Sequence, residues 1–228
     1  MMRAIILLSL LIWVGGCASK NAVPNDFQIN TSTQSIKEPS GLMTAISSGD
    51  EVAMKERILA GDSVNAEFEG HTPLRYAISA KQTRMVQILL RAGAQPNWAM
   101  QPGQESVLML VSRLGLNDLV VAFIRSGMAL DYADASGRTA LTEAAMNGHL
   151  TTANVLINAG ADVDIVFEGK SLLMHLVEQN SMLLVKPVIE AGADVNYVSN
   201  MGESSLSIAR EQQLHELDLM LVQAGARL

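Results

Sequence analysis

The chain has 228 residues and a formal net charge of -7, and is 49% hydrophobic but only 4% aromatic, so its core is aliphatic. That charge, with no run of Lys and Arg, excludes a phosphate-backbone binder, which needs clustered cations. Cys17 is the only cysteine, which excludes disulfides and thiolate metal clusters.

The N-terminal stretch "MMRAIILLSLLIWVGGC" carries one cation, Arg3, followed by an apolar run from Ala4 to Val14. Such a run is far short of the roughly 20 residues of a membrane-spanning helix, and its layout is that of a secretory signal peptide. Its end, "VGGC" at residues 14–17, resembles the lipobox of bacterial lipoproteins. The resemblance implies removal of residues 1–16 and acylation of Cys17. Ala18, rather than Asp, then implies an outer-membrane anchor facing the periplasm. The next segment, "ASKNAVPNDFQINTSTQSIKEP", is rich in Ser, Thr, Asn and Gln and has neither helical nor strand period. Residues 17–39 are therefore expected to be a lipidated cysteine and a flexible tether reaching about 25 Å.

From Ser40 onward the chain repeats. Gly61, Gly93, Gly127, Gly160, Gly192 and Gly225 recur at steps of 32, 34, 33, 32 and 33 residues. A leucine stands at a fixed distance before each glycine: Leu42, Leu74, Leu108, Leu141, Leu173 and Leu206. A hydroxyl stands two residues before each leucine: Ser40, Thr72, Ser106, Thr139, Ser171 and Ser204. These are predicted helix N-caps, with Pro73 at a first helical position. The first helix of a unit is predicted to end near Gly49, Gly115, Gly148 or Asn180, and the second at the recurring glycine. Segments such as "ADVDIVFEG" read as hairpins between units. Pro187 falls within the second helix of the fifth unit and predicts a kink or a late helix start.

"HTPLRYA", "RTALTEAAMNGH" and "INAGADVD" resemble the ankyrin repeat. The resemblance implies an all-α repeat solenoid over residues 40–228, built as helix-turn-helix plus β-hairpin loop. It comprises six repeats, approximately 40–66, 67–99, 100–133, 134–166, 167–198 and 199–228. Charged segments in the first and last copies fit terminal repeats acting as caps. The third and fifth copies lack the proline and replace small residues with Val111, Leu176 and Val177. One such unit cannot bury its apolar face alone, whereas a stack can.

No catalytic or cofactor-binding pattern is visible, and the histidines lack the spacing of a metal site. Neither enzyme activity nor a cofactor is expected. Function is expected on the surface presented by hairpins and inner helices, which ankyrin-type arrays use to bind proteins. Phe68, Trp98, Tyr132, Phe167 and Tyr197 all fall in hairpins. Two readings are open for them: the rings pack on neighbouring hairpins, or they contact a partner as rigid aromatic anchors. Phe68 and Phe167 fit packing better; Trp98, Tyr132 and Tyr197, at equivalent places, fit contact better. Charged tip residues, among them Glu67, Glu69, Asp134, Arg138, Glu168, Lys170 and Glu203, form an acid excess suited to a basic partner. The expected partner is a protein, with the membrane reached through the lipid anchor only and no role for nucleic acid. The family resemblance allows three outcomes: an immunity protein neutralising an effector toxin, an accessory stabilising a periplasmic enzyme such as a catalase, or, least favoured, an enzyme.

Overall fold

A computed structural model describes residues 40–97 and 102–227. The signal segment, Cys17, the tether and Trp98 lie outside the described residues. Within them the chain forms six pairs of short helices. In order these are α1 (Gly41–Ser48) and α2 (Glu51–Leu59), α3 (Pro73–Ser79) and α4 (Thr83–Arg91), α5 (Val107–Arg113) and α6 (Asn117–Arg125). Then follow α7 (Ala140–Met146) and α8 (Leu150–Asn158), α9 (Leu172–Glu178) and α10 (Met182–Glu190), α11 (Ser205–Glu211) and α12 (His215–Gln223). Strands β1 (Val166–Phe167) and β2 (Lys170–Ser171) pair antiparallel ahead of α9. The first helices start at the same steps as the recurring glycines. The architecture is the repeat solenoid expected from the sequence.

Local chemistry sets each boundary. Ser40, Thr72, Ser106, Thr139, Ser171 and Ser204 all act as N-caps, each side-chain oxygen accepting from the amide three residues on. Each such cap is worth about 1 kcal/mol. At Thr139 and Ser204 the arrangement is reciprocal, since Thr142 and Ser207 accept the cap residue's own N–H. The second helices end on glycines with φ between 80° and 103°. At the first of them the Gly61 N–H donates to Ile58 and the Asp62 N–H to Arg57, closing the helix with a left-handed turn. The first helices end at Gly49, Gly115, Gly148 and Asn180 as predicted. In the second and sixth repeats Lys81 and Gln213 adopt the same left-handed conformation, with φ of 57° and 58°.

The six phased leucines are fully buried, and the first helices pack one on the next from α1 through α11. Ala77, Ala144 and Ala145 allow close approach, while Val111, Leu176 and Val177 are buried as completely in the two divergent repeats. The His149 ring bridges repeats: its Nε2 lies 2.8 Å from the Arg113 carbonyl. Any side chain at Gly115 would meet its Nδ1 at 2.6 Å. Helix α10 starts in register with its counterparts and continues through Pro187. A late start is thereby excluded. Pro187 has no N–H to donate to the Leu183 carbonyl, and Leu183 is an exposed residue.

The two ends are finished by ion pairs. Leu89, Phe123, Leu156, Val188 and Leu221 fill one core position of the second helix, and Arg57 takes that place in the first repeat. Its guanidinium donates to both oxygens of Asp62 at 2.9 and 3.1 Å. In the sixth repeat Arg210 and Asp218 pair at 3.1 Å, where the internal repeats bury Ile78 with Val86 or Val177 with Val185. Charged side chains thus face outward where further repeats would bury apolar ones.

A candidate protein-binding surface

In the hairpin arms of the later repeats burial alternates residue by residue, so successive side chains point to opposite sides. In the arm before α9, Val163, Ile165 and Phe167 are buried, while Asp162, Asp164, Val166 and Glu168 are exposed. The arm before α11 buries Val195 and Ser199, with Tyr197 half-buried, and exposes Asp194, Asn196, Val198 and Asn200. The arm before α7 exposes Ala129, Asp131, Ala133 and Ala135. Tight turns cap two of the hairpins. Glu69–Gly70 and Glu168–Gly169 both have positive φ, as a two-residue turn matching strand twist requires.

The alternation places Tyr132, Phe167 and Tyr197 on the core side. Tyr132 and Tyr197 are half-buried and pack against the core. The Tyr132 hydroxyl accepts the Gly103 N–H at 3.0 Å, tying the hairpins of the third and fourth repeats together. Phe167 is 3% exposed and stacks on His175 with ring centroids 4.1 Å apart. Phe68 is half-buried, its backbone paired with His71. Trp98 lies outside the described residues. The exposed row stands one residue later, at Ala133, Val166 and Val198, with Met201 beyond it. A shift of one residue along a strand exchanges faces.

Charged side chains from five repeats meet along the first helices. Glu105 pairs with Arg75 at 3.2 Å and with Arg113 at 2.9 Å. Arg113 lies 3.8 Å from Glu143, and Arg138 lies 3.5 Å from Glu143 and 2.6 Å from Glu168. The Arg138 guanidinium also stands 5.8 Å over the Phe167 ring. Further along, Lys170 pairs with Glu178 and, at 3.1 Å, with Glu203. Arg138 and Glu203, both chosen from the sequence, are therefore held in ion pairs within the chain. Glu143, Arg113 and Glu105 were not chosen. The available signal was an acid set among the alanines of "ALTEAAM", a helix that is otherwise buried.

Glu143 is only 6% exposed. Burial pushes its carboxyl above the usual range; Arg138 opposes this, Glu105 reinforces it, and Arg113 again opposes. At Asp134 burial also acts upward, but the Ser136 hydroxyl and the amides of Arg138 and Ser136 outweigh it and hold the group low. Arg113, Arg138 and Lys170 are all raised, chiefly by hydrogen bonds to Glu105, to Glu168 and to Glu178 with Glu203. The charge ladder is thus internally compensated. It fixes neighbouring repeats in register, and among the described residues no three metal-ligating side chains converge.

A family model described as Ankyrin repeats (3 copies) matches residues 8–100 and 99–167. The B-cell lymphoma 3 protein homolog of Mus musculus is 32% identical over 160 residues, covering 68% of this chain and 36% of that protein. Glycerophosphocholine phosphodiesterase gde1 of Schizosaccharomyces pombe is 32% identical over 127 residues, covering 55% of this chain and 11% of the enzyme. The chain therefore spans about a third or less of the length of these curated relatives. Among solved structures, the ankyrin repeat domain of Bcl-3 superposes with a TM-score of 0.72 at 28% identity, covering 83% of this chain and 87% of that one. An ankyrin repeat domain from Acinetobacter baumannii AYE gives 0.73 at 28% identity, covering 82% and 98%.

Proposed function

The chain belongs to the ankyrin-repeat family, and from that premise we propose that it is a non-catalytic protein-binding module held at the periplasmic side of the outer membrane by lipids on Cys17. The observation that carries the binding role is the lateral joining of side chains from different repeats into one surface. Arg138 reaches Glu168 across 30 residues of sequence, and Asp131 reaches the Asp162 amide across 31. A surface continuous from repeat to repeat suits a protein partner, whereas small ligands are bound in enclosed apolar pockets. The anchor is supported by the lone cysteine at the end of a signal-like segment and by the polar stretch that follows it. Two acyl chains or more hold a protein where one grips only marginally.

The partner we favour is a secreted effector enzyme, which the module would hold inactive. Support of a resident envelope enzyme is the other outcome of the same experiment. Affinity capture from solubilised envelope with the full chain as bait should recover one protein in stoichiometric amount. Loss of the partner's activity on mixing supports immunity, a longer half-life supports the accessory role, and no stoichiometric partner overturns the binding role. For the anchor, Cys17→Ala should move the protein out of the membrane fraction; retention there would show that something else holds it.

A further inference from the structure

We infer that the exposed side of the last three hairpins is a docking strip for a basic amphipathic segment of the partner protein, an inference resting on the protein-binding role proposed above. Two parallel rows define the strip. One is apolar: Ala133, Val166 and Val198 stand at the same place in successive arms, with Met201 at the tip of the last. Val166, Val198 and Met201 are 43%, 56% and 86% exposed, so these side chains contribute little to the core.

The second row is acidic and lies two or more residues earlier on the same faces: Asp131, Asp162, Asp164 and Asp194. Each carboxylate is pinned by a backbone amide. Asp131 accepts from Asp162 at 2.8 Å, Asp162 from Asp164 at 2.9 Å, Asp164 from Asp194 at 2.7 Å, and Asp194 from Asn196 at 2.9 Å. An amide bond orients a carboxylate without neutralising it. Among the described residues none of the four has a Lys or Arg partner, whereas Glu168 is paired with Arg138 and Glu203 with Lys170. Of the acids that the sequence pointed to, Glu168 and Glu203 are compensated by cations; this row is not.

The sign and spacing of the two rows specify the occupant. Four negative charges repel nucleic acid and anionic lipid, and they are spread over three arms; among the described residues no three metal-ligating side chains converge. A protein segment with apolar side chains on one stripe and Lys or Arg beside it satisfies both rows at once.

The test uses the full chain and a fluorescent peptide of Leu and Lys at helical amphipathic spacing. A scrambled peptide of the same composition and a Leu/Glu counterpart serve as controls. Asp131→Asn, Asp162→Asn, Asp164→Asn and Asp194→Asn, made together, remove the charge and keep an accepting oxygen at each site; Asn65 and Asn196 already accept the bonds equivalent to those of Asp131 and Asp164, at 2.8 and 2.9 Å. This variant should bind the Leu/Lys peptide at least about tenfold more weakly at low salt and lose most of the salt dependence. Val166→Ser, Val198→Ser and Met201→Ser, made together, should weaken binding about tenfold (1.4 kcal/mol) at every salt concentration. Equal binding of the scrambled or Leu/Glu peptide, or either variant within about twofold of wild type, overturns the inference. So does an envelope partner captured equally by wild type and both variants, which would leave the protein-binding role itself intact. Peptide discrimination lost in both variants supports the strip whether or not a partner is recovered.

Discussion

Lys81 and Gln213 occupy left-handed backbone that glycine takes in three of the other repeats. A Cβ in that conformation costs roughly 1 kcal/mol, and neither residue has an ion-pair partner among the described residues to offset it. Lys81→Gly should therefore raise stability by up to about 1 kcal/mol, read as a thermal midpoint a few degrees higher. An unchanged or lower midpoint would mean the conformation is not strained. Glu143 makes a prediction about pH. Its folded value lies above the ordinary glutamate value, so in the window between the two the folded chain holds more protons than the unfolded one. Stability must then fall as pH rises through that window and level off above it. Glu143→Gln cannot ionise, and Arg113 and Arg138 keep Glu105 and Glu168 as partners. The stability of this variant relative to wild type, from urea midpoints between about pH 4 and 7, should grow with pH. A difference that shrinks with pH would reverse the sign assigned to the carboxyl.

At the scale of the element, each short helix depends on its caps and neighbours, because isolated helices of seven to nine residues are marginal in water. Helix α10 shows how strongly the stack imposes helicity. It keeps the register of its counterparts despite Pro187, whose ring removes a hydrogen bond and crowds the preceding turn at a cost of about 3 kcal/mol in a regular helix. Pro187→Ala should stabilise the fifth repeat by about 1–2 kcal/mol, and amide exchange within α10 should slow. Faster exchange would show that the proline ring contributes more by packing than it costs.

For the whole molecule, the decisive feature is that repeats contact only their neighbours, so the end faces determine where stacking stops. Arg210 and Asp218 hold positions that the second, fourth and fifth repeats fill with buried apolar pairs. Replacing both by Val puts apolar side chains on a face where charged ones now pair. Arg210→Val with Asp218→Val should drive concentration-dependent association, visible by sedimentation at roughly tens of micromolar, while the parent shows less. A double variant that sediments as its parent would show that these charges are not what limits stacking.

The sequence by itself determined the period, the six N-caps, the glycine turns at the ends of the second helices and the fold class. These are local matters: a hydroxyl three residues before an amide, or a backbone angle that glycine tolerates, is written in consecutive residues. It also placed the candidate aromatics in hairpins. It did not determine which side of each hairpin they occupy, because that depends on strand register and on the neighbour each arm packs against. Nor could it separate paired from unpaired acids. Glu168 and Glu203 meet cations brought up by folding, whereas among the described residues Asp131, Asp162, Asp164 and Asp194 bond to backbone amides and pair with no cation. Tertiary structure decided those questions because charge pairing and strand facing depend on atoms some 30 residues apart in sequence that only the stacking of repeats brings within a few ångströms.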